Sequence, residues 1–129
     1  MKTLIEIIDE TVEFYSNPEN RSFIINDRGN IECLYKGPDG KTCAFGRILT
    51  KVGLGKVSYF ENKTAGNLIR GVLDINDMKE EYKEHFDNID FWDDLQALHD
   101  KSIHWNESYG LSEEGKVKVN FLKEMYKLK

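Results

Sequence analysis

The sequence is poor in proline, with two among 129 residues, and it has no long run of apolar side chains. Because crossing a bilayer takes roughly 20 mostly apolar residues, membrane insertion is not expected. The carboxylates of Glu6, Asp9 and Glu10 interrupt the N-terminal segment where a signal peptide needs an uncharged apolar stretch, so export is not expected either. Cysteine is also scarce, with two residues, which allows at most one disulfide bond. We therefore predict a cytoplasmic protein whose cysteines are buried thiols.

Positive charge is in deficit, since 18 Lys and Arg against 23 Asp and Glu give a net charge of −5. General affinity for nucleic acid depends on an excess of Lys and Arg at the phosphates, so the composition argues against a nucleic-acid partner. What is present is a composition of 40% hydrophobic and 32% charged residues, which is typical of a folded globular protein. A chain of this length is predicted to form a single domain over residues 1–129.

Helical patterns mark both ends of the chain. Thr3 and Glu6 match a capping box, in which each side chain bonds the backbone of the other residue. Apolar residues then recur at helical spacing until Asn17, whose neighbour Pro18 disfavours further helix, so we predict a helix over residues 3–16. Further helices are predicted over residues 65–75, 77–87, 91–104 and 113–127.

Strand-like runs lie between these helices, over residues 22–26, 31–36 and 41–45, and turn residues separate them. The predicted fold class is therefore α+β, with an N-terminal helix, an antiparallel β meander and a helical C-terminal half. Residues 46–56 have no sustained period and are predicted to form a short helical turn and a loop. Residues 57–60 are predicted as another short strand.

A hairpin turn in the meander fixes which side chains share a face. Pro38 and Gly40 suit a three-residue turn with a bulge, whose register places Tyr35 opposite Cys43. The side chains that then share one face are Ile31, Cys33, Tyr35, Cys43 and Phe45. We interpret the two thiols as small buried core residues, with a disulfide bond between them as the alternative.

A cationic segment follows, in which one acid, Asp39, lies among several bases and glycines. The bases are Lys36, Lys41, Arg47, Lys51 and Lys56. Glycine lets backbone amides approach an anion, and Lys or Arg beside such amides often holds phosphate. We predict that Arg47, Lys51 and Lys56 bind a phosphate group and that Tyr35 or Tyr59 stacks on a base. The alternative is a solvated loop whose glycines serve turns.

Residues 74–100 have the opposite character, with ten carboxylates against Lys79 and Lys83. A charge run of this kind is usually the solvated face of amphipathic helices. The functional alternative is an acidic face that binds a basic host protein and inhibits it.

Cys43 and His99 are the candidate nucleophile and base of a hydrolase, with Asp100 to orient the imidazole. We expect no catalysis, because Cys43 is predicted in the middle of a strand and Asp100 would point about 100° away from His99 on a helix. The alternative is a core histidine that bonds a backbone carbonyl. His99 and His104 are five residues apart, the wrong spacing for one helix face, so neither a metal nor another cofactor is predicted.

Two segments resemble a known family. Residues 33–49, CLYKGPDGKTCAFGRIL, and residues 95–100, LQALHD, are similar to a family of small uncharacterised proteins of tailed bacteriophages and prophages. Members have a Cys, an aromatic residue two places on, a glycine turn, Cys-Ala-x-Gly and a downstream Leu-Gln-x-x-His-Asp. The resemblance implies the infected bacterial cytoplasm as the setting, and it implies no particular activity.

Small phage proteins of this size commonly act by binding. The expected function is therefore that of a non-enzymatic accessory protein for host takeover or counter-defence. Its partner is predicted to be a small anionic ligand, such as a host signalling nucleotide that it sequesters, or a host protein. Self-association is left open by the sequence.

Overall fold

A computed structural model describes residues 2–21, 23–25, 31–33, 41–60, 64–101, 104–106 and 108–127, with the backbone alone at 23–25 and 31–33. Within these residues the α-helices are α1 (Leu4–Ser16), α2 (Ala44–Arg47), α3 (Lys51–Val57), α4 (Ala65–Gly71), α5 (Ile89–Asp100) and α6 (Glu113–Tyr126). Short 3-10 helices cover Pro18–Asn20, Ile75–Asp77 and Glu80–His85, and the strands are β1 (Phe23–Ile25) and β2 (Ile31–Cys33). None of the helices in the described ranges is both long and apolar enough to span a membrane.

The α+β fold class predicted from the sequence is wrong, because the described residues are mostly helical. The strands β1 and β2 form a short antiparallel pair, in which Phe23 lies opposite Cys33 and Ile25 opposite Ile31. The third strand of the predicted meander does not form, since residues 41–45 lead into α2. The protein is therefore a helical domain that carries one small pair of strands.

A contact with a distant part of the chain turns residues 41–45 toward helix. The backbone N–H of Phe45 donates to Oε1 of Gln96 in α5, at 2.8 Å. The first N–H groups of a helix have no partner within the helix, so this side-chain acceptor stabilises a helix start. Tertiary contact overrides the local β propensity that the sequence pattern reports.

The prediction that Cys33 and Cys43 share one face of a β hairpin is also wrong. Cys43 is the N-cap of α2 and lies outside any strand, whereas Cys33 ends β2. Tyr35 and the predicted turn over residues 37–40 lie outside the described residues. The predicted burial of the Cys43 thiol is confirmed, because its side chain is completely shielded from solvent.

Helix α3 was missed by the sequence analysis, which predicted a loop there and a strand over residues 57–60. The hydroxyl of Thr50 accepts a hydrogen bond from the backbone N–H of Gly53 at 3.1 Å, an ordinary N-cap. Glycines concealed the helix, because glycine disfavours helical structure. Gly53 is needed for packing, since a Cβ there would lie 2.5 Å from the carbonyl oxygen of Asp77. The glycine thus lets α3 lie directly against the 3-10 turn Ile75–Asp77.

The predicted terminal helices are present. In α1, Thr3 Oγ1 accepts from the backbone N–H of Glu6 at 3.1 Å and the Glu6 carboxylate accepts from the backbone N–H of Thr3 at 3.0 Å, so the capping box is confirmed. Helix α6 begins after its N-cap Ser112. The helix predicted over residues 77–87 is instead the 3-10 helix Glu80–His85.

Helix α5 lies at the centre of the core. The Trp92 ring packs edge to face on Phe45 of α2, with ring centroids 5.9 Å apart. Phe91 packs in the same way on Tyr126 of α6, at 5.1 Å. Asp93 accepts a hydrogen bond from the backbone N–H of Gly66 in α4, at 2.8 Å. One helix therefore holds α2, α4 and α6 in place.

Candidate functional site

An open groove of about 740 Å³ lies where the last turns of α3 and α4 come together. Its lining residues are Gly55, Lys56, Ser58, Tyr59, Phe60, Gly71 and Val72. We call this feature the groove. Two of its lining residues, Lys56 and Tyr59, are ones that the sequence analysis predicted for ligand binding.

Glycines keep the groove open. A Cβ atom built on Gly55 or on Gly71 would meet no other atom within 4 Å. Neither position needs glycine for a positive φ angle. Among the described glycines, the one with a positive φ angle is Gly110. A Cβ at either position would therefore occupy space that is now empty.

Tyr59 supplies an aromatic surface at the groove. Its side chain is 86% exposed, although an aromatic ring of this size is usually at least partly covered. A tight turn after α3 holds its backbone, because the backbone N–H of Phe60 donates to the carbonyl of Val57 at 2.8 Å. The exposed ring can stack on a flat ligand.

Lys56 supplies a positive charge at the groove, and two carboxylates lie close to its ammonium group. Its Nζ lies 2.8 Å from Oδ2 of Asp77 and 3.9 Å from Oδ2 of Asp74. The hydrogen bond to Asp77 raises the pKa of Lys56, and the charges of Asp77 and Asp74 add to this effect. Lys56 is therefore a cation that is already partly neutralised.

Asp77 fixes the position of Lys56. Its carboxylate is almost fully buried and also accepts a hydrogen bond from the backbone N–H of Asp74, at 3.0 Å. Its carbonyl accepts from the backbone N–H of Thr50 at 2.8 Å. The ammonium group is thus tied to a rigid part of the structure, at the junction of α3 and the turn that follows α4.

The remaining predicted site residues do not join Lys56 and Tyr59. Lys51 is exposed in the first turn of α3, whereas the last turn lines the groove. Arg47 is directed toward α1, and Tyr35 lies outside the described residues. Gly71 and Asp74 were not predicted as site residues. The signal for Gly71 was a glycine inside the helix predicted over residues 65–75, where a glycine can mark an earlier helix end.

Arg47 belongs to a separate ionic network around Glu10. Its Nη2 lies 2.6 Å from Oε1 of Glu10, which also accepts a hydrogen bond from the hydroxyl of Tyr82, and Lys2 Nζ lies 2.7 Å from Oε2. Burial disfavours the charged carboxylate, but the hydrogen bonds from Lys2, Tyr82 and Arg47 outweigh it and lower the pKa of Glu10 to about 2. The guanidinium also lies 5.3 Å from the centre of the Phe14 ring. Arg47 therefore joins α2 to α1.

The acidic segment over residues 74–100 divides into structural and exposed carboxylates. Asp93 bonds the N-terminus of α4, and Asp94 accepts a hydrogen bond from the hydroxyl of Tyr126 at 2.6 Å. Asp77 pairs with Lys56, as described above. The exposed carboxylates are Asp74, Glu80, Glu81, Glu84, Asp87, Asp90 and Asp100. The segment is therefore not one uniform solvated face.

The two segments that carry the family resemblance meet inside the protein. Gln96 bonds Phe45 through Oε1 and donates from Nε2 to Oδ1 of Asp100 at 2.5 Å. The same oxygen lies 3.3 Å from Nδ1 of His99, so the expectation that Asp100 points away from this ring is wrong. The expectation that Cys43 lies in the middle of a strand is wrong as well, since Cys43 caps α2.

Cys43 and His99 nevertheless lie in the core. Both side chains are completely buried, and burial lowers the pKa of His99, which keeps its imidazole neutral. The ring of Tyr15 packs edge to face on the imidazole, with centroids 4.5 Å apart, and its hydroxyl donates to the carbonyl of Thr42 at 2.6 Å. This arrangement connects α1, α2 and α5 and has no direct access to solvent.

A search of the described ranges finds no group of three His, Cys, Asp or Glu side chains that could hold a metal ion. The groove offers accessible chemistry, namely an exposed aromatic ring and a partly neutralised ammonium group. In comparisons with known proteins, no family model matches the chain, and no curated protein or solved structure is similar enough to count as a match.

Proposed function

We propose that this protein binds and sequesters a small phosphorylated ligand, such as a host signalling nucleotide, in the groove. The setting is the cytoplasm of an infected bacterium, where the protein acts as a phage accessory protein for host takeover or counter-defence. That setting comes from the resemblance of residues 33–49 and 95–100 to phage and prophage proteins. The protein acts by binding, and it is not an enzyme.

One observation carries the proposal: the groove combines the exposed ring of Tyr59 with the ammonium group of Lys56 in one open space of about 740 Å³. A nucleotide needs both partners, since its base stacks on an aromatic ring and its phosphate accepts hydrogen bonds from an ammonium group. Ligand pockets typically have volumes of about 300–1,000 Å³, so the space suits a molecule of this size.

The lining of the groove offers little to an enzyme. The hydroxyl of Ser58 donates to the carbonyl of Gly55 at 2.7 Å, so its hydrogen is already used within the turn. Among the described residues that line the groove there is no histidine or carboxylate side chain. The buried pair Cys43 and His99, which a hydrolase would need, lies elsewhere in the core.

The test is a binding panel of cyclic and linear nucleotides, measured by thermal shift and calorimetry on the full chain. Tyr59→Ala should weaken binding of whichever nucleotide binds by about fivefold or more, because stacking of one base contributes roughly 1–3 kcal/mol. Tyr109→Ala is the matched control, since this tyrosine is also exposed, at 67%, and does not line the groove.

A second pair of variants tests the space itself. Gly71→Leu should block the groove without unfolding the protein, because no atom lies where its Cβ would be and leucine favours helix over glycine. Asn120→Leu, at an exposed position of α6, is the matched control. The proposal is wrong if no nucleotide binds, or if both Tyr59→Ala and Gly71→Leu leave binding unchanged. In that event, the exposed carboxylates of residues 74–100 become the better candidate site, for a host protein.

A further inference from the structure

We infer that the groove selects a ligand with a single negative charge, a phosphodiester attached to an aromatic base, and that Asp74 sets this limit. The inference rests on the proposed function and adds to it a rule for which nucleotides bind. A cyclic mononucleotide fits this class, and nucleoside triphosphates do not.

The charge around Lys56 disfavours additional anions. One ammonium group faces two carboxylates, at 2.8 Å from Asp77 and 3.9 Å from Asp74. These three groups together carry a net charge of −1.

The direction of the helices also disfavours additional anions. Helices α3 and α4 end at Val57 and Gly71, and both ends adjoin the groove. The carbonyls of Gly55 and Val57 accept hydrogen bonds within the turn after α3, so what disfavours a nearby anion here is the helix dipole, whose negative end is at the C-terminus. A ligand with several phosphates would place its additional charges against these helix ends and against Asp74.

Lys56 has a limited number of donors for a ligand. An ammonium group has three N–H donors, and one of them bonds Asp77. The Asp74 carboxylate, at 3.9 Å, is beyond hydrogen-bond distance and acts on the ammonium group through its charge. Two donors then remain, which suffice for the oxygens of one phosphate group and leave further phosphates uncompensated.

We assign Asp74 as the specificity-determining residue. Its role can be tested cleanly, because its charge can be removed without loss of its structural role. Its side chain is 66% exposed, and its carboxylate accepts a hydrogen bond from the backbone N–H of Asn76 at 2.8 Å. Asparagine can cap this turn equally well, so Asp74→Asn changes the charge and keeps the cap.

Calorimetry on the full chain, at one low salt concentration, tests this rule. The ligands are adenosine, its 3′,5′-cyclic monophosphate, its 5′-monophosphate and its 5′-triphosphate. The four corresponding guanosine compounds form a second series. The wild-type protein should bind a cyclic monophosphate most tightly and the corresponding triphosphate most weakly among the phosphorylated forms. Asp74→Asn should tighten triphosphate binding by about threefold or more, the effect of one unit charge at roughly 7 Å in water. Nucleoside binding should stay within about twofold, since a neutral ligand has no net Coulomb interaction with that carboxylate.

Glu113→Gln is the control for net charge, because Glu113 is exposed in the first turn of α6. It should leave the order of the ligands unchanged. If Asp74→Asn is poorly folded, Asp74→Ser provides the same loss of charge with a serine cap. A wild-type preference for triphosphates, or an equal effect of Asp74→Asn on nucleoside and triphosphate, overturns the charge rule and leaves the proposed function standing. Absence of binding by every ligand to both proteins overturns the two together.

Discussion

Arg47 and Lys56 lie nine positions apart in one cationic, glycine-rich segment, yet the structure uses them differently. The Arg47 side chain is 16% exposed and is held by the carboxylate of Glu10. The Lys56 side chain is 39% exposed at an open groove. Each cation has a carboxylate within 3 Å, so an ion pair alone does not distinguish Arg47, which joins two helices, from Lys56, which lines the groove. The two residues differ in the open space beside the ion pair.

Neighbouring elements explain the difference. Helix α1 covers Arg47 with the ring of Phe14 and the carboxylate of Glu10. The neighbours of Lys56 at the groove include Gly55 and Gly71, which have no side chain to cover it. The sequence places glycines near both cations, but only the fold determines whether a helix lies across them.

Arg47→Ala should have the largest effect, a loss of about 2–3 kcal/mol in the free energy of unfolding measured with urea. The change removes a charged hydrogen bond and leaves the partly buried carboxylate of Glu10 with one partner fewer. Nucleotide binding in the groove should survive under conditions in which the variant is folded. Arg47→Lys, which keeps the charge, should lose less. A fully stable Arg47→Ala protein that no longer binds its ligand would place Arg47 in the binding site and remove the contrast with Lys56.

The same network predicts how stability depends on pH. The pKa of Glu10 is lowered from 4.5 to about 2 in the folded protein, so its stabilising effect is fully present above pH 4.5 and is lost as the pH falls toward 2. Urea titrations across this range should show a shallower loss of stability for Glu10→Gln than for the wild-type protein. If the free energy of unfolding falls equally steeply with pH in the two proteins, the network does not stabilise the charged form of Glu10 over its neutral form.

Lys51→Ala should have the smallest effect. Lys51 is exposed at the start of α3 and does not line the groove, so its loss should change the free energy of unfolding by less than about 0.5 kcal/mol. Nucleotide affinity should change by less than about twofold, because exposed charges are screened by salt. A loss of affinity as large as that of Tyr59→Ala would restore Lys51 to the site that the sequence predicted.

The parts of the fold that could be predicted from sequence are those with local signals. Thr3 with Glu6 marks the start of α1, and Ser112 marks the start of α6. The errors occur where distant contacts decide the structure. Phe45 starts a helix because Gln96, 51 positions later, accepts its N–H, and position 53 needs a glycine because Asp77 approaches it closely. A periodicity argument contains no information about either contact.

Prediction of the candidate site from the sequence was limited in the same way. Lys56 and Tyr59 were identified by residue type, a cation and an aromatic ring in a glycine-rich segment, and the structure places both at the groove. Gly71 and Asp74 come from a separate segment that packs against α3 only in the folded chain. Residue type therefore indicated the chemistry of the site, and tertiary structure was needed to complete it.

The side chains of α5 also have a consequence for the order of folding. Gln96 and Asp93 bond the first N–H groups of α2 and α4, helices of four and seven residues. Isolated helices this short are unstable in water, so neither persists before α5 is in place. One wall of the groove is the end of α4, and hence the groove forms only after that helix has docked. A ligand held there would report that α4 has docked on α5.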